Sequence, residues 1–198
     1  MVRGSNMSIV DRLGQVFSAM PKLDGSRNVL RDAWNVLSGV PGGRIVFSRL
    51  VGRMAPYTGS IRATVSVLRM GYAEVHMADR RAVRNHLDCV HAIALANLAE
   101  LAGNLALAYA LPADARFIVS GFEIEYTKKA RGTIVAIGEP SIPRSSARAA
   151  YDVPVTLRDA SGEQVATAVL HSLVGPKPKS RPHPGVPADE ARDRGDVN

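Results

Sequence analysis

The stretch that decides the fold is residues 90–111, which read VHAIALANLAELAGNLALAYAL. Apolar residues occupy nearly every side of a helix with this sequence, so we expect a helix that the rest of the protein encloses. Four polar or charged residues interrupt it: His91, Asn97, Glu100 and Asn104. Because each would be costly in a bilayer, the stretch is not expected to span a membrane.

Segments in which apolar and polar residues alternate precede and follow this helix. In the first of them, Ile61, Ala63, Val65 and Val67 are expected to face the core. The predicted strands are residues 61–67, 72–77, 117–127, 133–138, 151–158 and 164–174. Alternation leaves one face of each strand polar, which is typical of an antiparallel sheet. The sequence therefore predicts an α+β protein in which an antiparallel sheet wraps around one long central helix.

The two ends of the chain differ from its centre. Residues 1–58 are predicted to form an N-terminal helical extension, with Ser26 available as an N-cap and Gly39 as a stop. Residues 175–198 are rich in proline and charge and lack periodicity, so a disordered tail is predicted there. The sheet and the central helix then form one domain at residues 59–174.

Composition limits the classes of function. The chain has 198 residues and one cysteine, Cys89, which excludes an intrachain disulfide framework and fits a reducing cytoplasm. The formal net charge of +7 suits a polyanionic partner, but the basic residues are scattered and aromatic residues make up only 5%. We therefore expect a cytoplasmic protein that does not bind nucleic acid. Nucleic-acid binding is kept only as a third hypothesis, after the two functions given below, because of the net charge.

Two other kinds of site are not supported by residue spacing. Cys89 and His91 lie two positions apart, so their side chains do not face each other on a helix, and a cysteine hydrolase is not expected. His86, Asp88 and His91 resemble a partial metal site, but no distant ligand cluster accompanies them. No metal is therefore expected.

Three polar residues of the central helix fall on one side. Asn97, Glu100 and Asn104 are three and four positions apart and form one polar stripe. A carboxylate enclosed on such a helix costs several kcal/mol unless it is hydrogen bonded or faces a solvated cleft. Two interpretations stay open: Glu100 belongs to a structural hydrogen-bond network, or it lines a functional cleft.

A motif at the start of the central helix resembles a known family. The residues are Asn85-His86-Leu87-Asp88-Cys89-Val90-His91-Ala92, followed by Leu98-Ala99-Glu100. Asn85 precedes His91 by six positions, and Glu100 follows His91 by nine. This spacing is similar to the motif of hotdog-fold acyl-CoA thioesterases of the phenylacetate-pathway type, and the resemblance covers roughly residues 60–174. It implies a hotdog fold for that segment, preceded by the N-terminal helical extension that the periodicity of residues 1–58 predicts.

The resemblance also implies a metal-independent mechanism. In the family, a carboxylate of the helix, here Glu100, activates water or acts as the nucleophile on a substrate bound with the neighbouring subunit. Backbone amides at residues 91–93 polarise the thioester carbonyl and hold the developing oxyanion, and Ala92 still supplies such an N–H. Asn85 would orient water or the thioester, and His91 would position the loop or contact the substrate. No cofactor is implied beyond CoA as part of the substrate.

The implied substrate is an acyl-CoA. Lys128, Lys129 and Arg131 lie at a predicted turn between strands, where they either meet the CoA phosphates or are solvated hairpin charges. Asn97 and Asn104 are expected to contact the substrate from the polar stripe.

Two departures from the family motif bear on activity. The glycine pair after the histidine is Ala92-Ile93 here, and the glycine three residues after the asparagine is Asp88. A Cβ narrows the approach of a thioester to the backbone, so the alternative function is a non-catalytic acyl-CoA or fatty-acyl binding protein. Asp88 is interpreted as a helix N-cap in preference to an extra acid/base or a repulsive charge.

The expected assembly is a homodimer or a dimer of dimers. One sheet per subunit leaves an exposed edge, and pairing two such sheets removes it. The active sites would then lie at the subunit interface, as the resemblance implies.

Overall fold

The predicted central helix is present and packs against an antiparallel sheet. The computed structural model describes residues 27–178, so the predictions for residues 1–26 and 179–198 lie outside the described range. The helices within it are α1 (Val29–Leu37), α2 (Gly43–Met54), α3 (Pro56–Gly59) and α4 (Ala92–Ala110). The strands are β1 (Thr64–Arg69), β2 (Tyr72–Met77), β3 (Ala115–Tyr126), β4 (Ile134–Gly138), β5 (Ala149–Arg158) and β6 (Gln164–Pro176).

The six strands form one sheet in the order β1-β2-β4-β5-β6-β3, and every neighbouring pair is antiparallel. The helix α4 packs mainly against β4, β2 and β5. Leu98 and Leu107 of α4 are fully buried, as are Ile134 and Leu170 of the sheet. Burial of each such side chain stabilises the fold by roughly 1.5–3 kcal/mol. The predicted α+β class, with a sheet around one long helix, is confirmed.

Two glycines allow α4 to approach the sheet closely. A Cβ on Gly138 of β4 would lie 2.9 Å from the carbonyl oxygen of Ala102. A Cβ on Gly103 of α4 would lie 3.0 Å from Leu170 and 3.1 Å from Val155. These separations are shorter than ordinary contacts in a close-packed interior, so a larger residue at either position would push the helix away from the sheet.

The strand β1 departs from the expected alternation. The sequence predicts that Val65 and Val67 both face the core, but the register with β2 shifts between these two residues. Val65 is buried, Val67 is half-buried, and Leu68 takes the next core position instead. An extra residue at a bulge reverses the side-chain alternation beyond it, so the prediction for Val67 is wrong.

The strand β3 is an edge strand, paired only with β6 among the described strands. It is 12 residues long. Phe122 and Tyr126 lie opposite the buried Leu170 and Ala166, yet they are 37% and 42% exposed. Natural proteins usually cover a long edge strand that carries exposed apolar side chains.

The helix α1 is joined to the far end of α4 by hydrogen bonds. Asn28 is the N-cap of α1, and its Oδ1 accepts from the amide of Arg31 at 3.1 Å, so the prediction of Ser26 as the N-cap is wrong. The Nδ2 of Asn28 donates to the carbonyls of Ala108 at 2.8 Å and Leu111 at 3.1 Å. Arg31 Nη2 donates to the Leu111 carbonyl at 2.7 Å. These bonds satisfy carbonyls that the end of a helix leaves free, and the positive charge suits that end.

One side of α4 is not covered by the rest of the described chain. The helix is long and apolar enough to cross a membrane by length and composition alone, but 67% of that window is buried inside the protein. Along the remaining side, Ile93 and Glu100 are exposed, and Ala96 and Asn104 are half-buried. These four residues are three and four positions apart, and we call them the open face of α4. The expectation of a helix enclosed on every side is wrong here.

Candidate active site

The start of α4 offers one free backbone donor. The amide of His91 donates to the Val83 carbonyl at 2.8 Å, and the amide of Ile93 donates to Nδ1 of His91 at 3.1 Å. The amide of Ala92 has no acceptor among the described residues. Of the three amides predicted to hold an oxyanion, those of His91 and Ile93 are already bonded. The candidate donor is therefore Ala92 alone.

His91 is the N-cap of α4. Its backbone is extended, with φ −65 and ψ 138, and its ring accepts the Ile93 amide described above. An N-cap side chain that accepts from the N2 amide fixes the first turn of the helix. In this structure the His91 ring therefore bonds to the backbone of the first helical turn, and its predicted role in positioning the loop stays a prediction.

Asp88 does not cap the helix, so that prediction is wrong. Its side chain is exposed, and Oδ1 accepts from Nη1 of Arg84 at 2.8 Å. Its backbone φ is 52, in the left-handed region that glycine adopts without strain. The resembling family has glycine at this position, and the same turn is made here by an aspartate, one of the few other residues that tolerate it.

Asn85 uses its side-chain oxygen within the loop before α4. Oδ1 accepts from the amides of Leu87 at 2.9 Å and Cys89 at 3.4 Å. The backbone amide of Asn85 donates to the Cys89 carbonyl at 2.9 Å. These bonds commit the carboxamide oxygen to loop structure and leave Nδ2 with no partner among the described residues, so only the nitrogen is available to orient water or a thioester.

Tyr126 lies beside the same helix start, although it is not among the predicted site residues. Its hydroxyl donates to the Ala92 carbonyl at 3.0 Å. Partial burial raises the pKa of Tyr126, so the hydroxyl stays protonated and can donate near neutral pH. The signal that could have identified it is the alternation of β3, which places Tyr126 on the inner face at the strand end next to α4.

Glu100 is exposed on the open face of α4, which contradicts the expected burial. It follows Ala92 by eight residues, about 12 Å along the helix axis at 1.5 Å per residue. The carboxylate and the Ala92 amide of one chain therefore do not converge on the same carbonyl group. The structure does not bring the predicted catalytic residues together within a single chain.

The predicted polar stripe divides into separate environments. Asn97 is 5% exposed, and its Nδ2 donates to the Tyr57 carbonyl of α3 at 3.1 Å. Asn97 therefore holds α3 against α4 instead of facing the same space as Glu100. Asn104 is half-buried, and its Oδ1 has no donor among the described residues. Only Glu100 and Asn104 of this stripe lie on the open face.

The predicted basic turn adjoins the loop before α4, because the Val90 amide donates to the Ala130 carbonyl at 2.9 Å. Within this turn, Nζ of Lys128 is 3.1 Å from Oδ2 of Asp159 and also pairs with Glu163. Its charge is thus offset by two carboxylates. Lys129 and Arg131 are exposed and remain the better placed contacts for an anionic substrate.

Comparison with solved structures identifies the fold. A structural-genomics crystal structure shares 33% identity at a TM-score of 0.66, covering 75% of this chain and 99% of its own. A Pseudomonas aeruginosa protein of unknown function, described as a probable thioesterase, shares 22% identity at a TM-score of 0.61, covering 70% and 97%. A thioesterase family protein from Silicibacter pomeroyi shares 18% identity at a TM-score of 0.57, covering 66% and 96%. The predicted hotdog fold is confirmed.

Sequence comparison gives the family. No curated protein matches the chain. Residues 43–174 match the family model described as Domain of unknown function (DUF4442), which takes in α2, α3, α4 and nearly the whole sheet. With two thirds of its length matched in this way, the chain belongs to the DUF4442 family and has the hotdog fold.

Proposed function

We propose that this protein hydrolyses acyl thioesters at a site that two subunits complete between them. The observation that carries the proposal is the amide of Ala92, which has no acceptor in the described part of the chain, together with the exposed carboxylate of Glu100 on the same helix. The fold is shared with proteins described as thioesterases, which supports the reaction class. Acyl-CoA is the proposed substrate because Lys129 and Arg131 adjoin the site and suit its phosphates.

The chemistry assigns one task to each group. The Ala92 amide donates to the thioester carbonyl oxygen and stabilises the negative charge that develops there, assisted by the positive end of the helix dipole. Glu100 removes a proton from water as the water oxygen bonds to the carbonyl carbon. The carbon–sulfur bond then breaks, and the protonated carboxyl returns its proton to the leaving thiolate. The products are a carboxylic acid and a free thiol.

The two groups meet only if a second chain supplies one of them. In a two-fold dimer with antiparallel α4 helices, Glu100 of the partner subunit faces Ala92 when the axis passes Ala96, midway between them. Ala96 is small and half-buried on the open face, so two helices can approach closely there. The same arrangement would cover the exposed edge of β3 and the side chains of Phe122 and Tyr126.

Ala92→Pro tests the donor. Ala92 is the first residue of α4, where proline is favoured, and His91 already has the extended conformation that a following proline requires. The substitution removes the amide hydrogen and leaves the helix intact. We expect kcat on a short acyl thioester to fall about 10²–10³-fold, with thiol release as the readout. Ala92→Ser keeps the amide and is the matched control. Wild-type turnover by Ala92→Pro would contradict the proposal.

Glu100→Gln tests the carboxylate. Because Glu100 is exposed, the variant should fold as stably as the native chain, while kcat falls about 10²–10⁴-fold. Glu139→Gln, at another exposed glutamate, is the control and should retain activity. A native chain that binds acyl-CoA saturably but releases no thiol would leave the non-catalytic binding function in place of hydrolysis.

A mixture of the two inactive variants tests whether the site is shared. In a mixed dimer of Ala92→Pro and Glu100→Gln chains, one of the two shared sites keeps both groups. Random mixing should therefore restore about a quarter of native activity, because half of the dimers are mixed and each has one intact site. Activity no higher than that of either variant alone would show that the site does not cross the interface.

Ala96→Cys tests the position of the two-fold axis. Thiols on the axis should form an intersubunit disulfide under oxidising conditions, detected as a dimer band on a non-reducing gel. The native chain, whose single Cys89 is 4% exposed, is the control and should not crosslink. Glu100→Cys should also fail, since its two thiols would be offset by about 12 Å along the helices.

A further inference from the structure

A cavity of about 1030 Å³ lies outside the candidate active site, between α2, α3 and the start of β1. Three arginines line it: Arg49 and Arg53 from α2, and Arg62 from the turn before β1. Apolar residues line it as well, among them Ile45 and Val51 of α2, with the buried Leu101 of α4 beneath them. The cavity therefore combines concentrated positive charge with an apolar surface.

The positive charge of the cavity is not neutralised by any acidic residue in the described part of the chain. Among residues 27–178, none of those that line it is an aspartate or a glutamate. All three arginines are exposed, and none forms an ion pair with the described residues. Three like charges in one concave site repel each other, and an anionic ligand would remove that repulsion.

The walls of the cavity are held by specific backbone contacts. The Cα of Gly59 packs against Gly52 so tightly that a Cβ on Gly59 would lie 2.3 Å from the Gly52 carbonyl oxygen. The Nη2 of Arg80 donates to the Ile61 carbonyl at 2.7 Å and anchors the turn. Arg62, next along the chain, has φ 50, an uncommon conformation for a residue other than glycine. The turn that carries Arg62 is thus held by the Gly59–Gly52 contact before it and by the hydrogen bond from Arg80 to Ile61.

We propose that this cavity binds a phosphate-bearing small molecule. The planar guanidinium groups of arginine match phosphate oxygens in a bidentate geometry, and several of them can share one polyphosphate. Ile45, which is exposed, and Val51, which is half-buried, also line the cavity and would contact the organic part of the ligand. The volume lies at the upper end of the range of roughly 300–1,000 Å³ that is usual for sites of small organic ligands.

Two sources could supply such a ligand. One is the phosphate-bearing carrier of the thioester, because the cavity reaches α4 at Leu101, the residue that follows Glu100; this source rests on the proposed function. The other is a free nucleotide or polyphosphate, which needs no thioester chemistry. Both ligands would present phosphate groups to the same arginines, and a binding experiment distinguishes them.

The test is titration calorimetry of the full chain with CoA, ADP and pyrophosphate. We expect at least one of them to bind, and Arg49→Gln with Arg53→Gln to weaken it at least tenfold, the effect of losing one charge-assisted hydrogen bond or more. Tighter binding of CoA than of ADP and pyrophosphate would indicate the carrier, whereas equal or weaker binding of CoA would indicate a free nucleotide or polyphosphate. Affinity should fall with added salt.

Matched variants locate the effect. Arg44→Gln removes an exposed arginine of α2 that does not line the cavity, and Arg62→Gly removes a lining arginine while suiting the left-handed backbone. Arg44→Gln should bind like the native chain, and Arg62→Gly should bind more weakly. The proposal would be overturned if none of the three probes binds. It would also be overturned if binding is unchanged in the cavity variants and is lost only in a Lys129→Gln and Arg131→Gln double variant. Hydrolysis of a phosphate-free acyl-N-acetylcysteamine is assayed in parallel, so that a failure of the proposed function is scored independently of this site.

Discussion

The backbone amide of Ile93 donates a hydrogen bond to Nδ1 of His91 over 3.1 Å, and within residues 27–178 this bond leaves the Ala92 amide as the one donor without an acceptor at the start of α4. Loss of this N-cap should cost about 1 kcal/mol of unfolding free energy. We expect His91→Ala to show that loss in chemical denaturation, and His91→Ser, which can accept the same hydrogen bond, to recover most of it. Equal losses in both variants would show that capping is not the role of the histidine.

Asp88 should be replaceable by glycine but not by alanine. Its φ of 52 strains any residue with a Cβ, and aspartate tolerates this conformation better than alanine does. We expect Asp88→Ala to unfold at a lower denaturant concentration than Asp88→Gly, with a difference of about 1 kcal/mol. Both variants lose the surface ion pair with Arg84, so that contribution cancels in the comparison. Equal stability of the two would refute the strain argument.

His171 should make stability depend on pH. Its Nδ1 lies 2.7 Å from Asp152 and its Nε2 lies 3.3 Å from Glu123, and the hydrogen bond with Asp152, followed by that with Glu123, raises the pKa of His171. A raised folded-state pKa gives stability that is fully present below the unfolded value of about 6.5 and is lost as pH rises through the folded value. The native chain should therefore lose its stability advantage over His171→Gln as the pH rises from about 6.5 through the raised folded-state pKa of His171.

Denaturation midpoints measured across that pH range at low salt check this prediction. Asp152→Asn, which removes the stronger partner, should reduce the pH dependence. Added salt should reduce it too, because the cluster is exposed to solvent. A stability difference that is constant with pH would contradict the assignment.

Gly59 should not accept a side chain. Because a Cβ at this position would lie 2.3 Å from the Gly52 carbonyl oxygen, a backbone atom, Gly59→Ala must force α2 and α3 apart. We expect a loss of about 1–3 kcal/mol, measured by denaturation. Gly39→Ala is the control, since its Cβ would meet only the Val36 carbonyl oxygen at 4.0 Å, and its stability should stay near that of the native chain. Similar losses in both would show that the close contact is not the cause.

The sequence predicts the fold well because helical and strand periodicities are local properties. Apolar residues throughout residues 90–111 place the central helix, and alternation places every strand within a few residues of its observed bounds. The bulge after Val65 is not predictable in this way, because it depends on pairing with β2. The exposure of Glu100 likewise depends on which side of α4 the sheet covers. Because apolar residues occur on all sides of the helix, the sequence does not show which side stays uncovered.

The candidate site is predictable only in part, for a related reason. The spacing of Asn85, His91 and Glu100 points to the loop and helix start at which the candidate site is placed. Which amide stays free depends on the orientation of the His91 ring, and the place of Tyr126 depends on how β3 ends beside α4. Both are tertiary relationships that residue spacing does not contain.

The contact between α1 and the end of α4 has a consequence for where the folding unit begins. The family match starts at residue 43, yet Asn28 and Arg31 supply donors to the last carbonyls of the central helix. A protein shortened to the matched segment would expose those acceptors to water and lose a cation at the negative pole of its main helix. The segment that the family model matches is therefore shorter than the segment that packs as one folded domain. A shortened version of the protein should keep α1 and begin no later than residue 27.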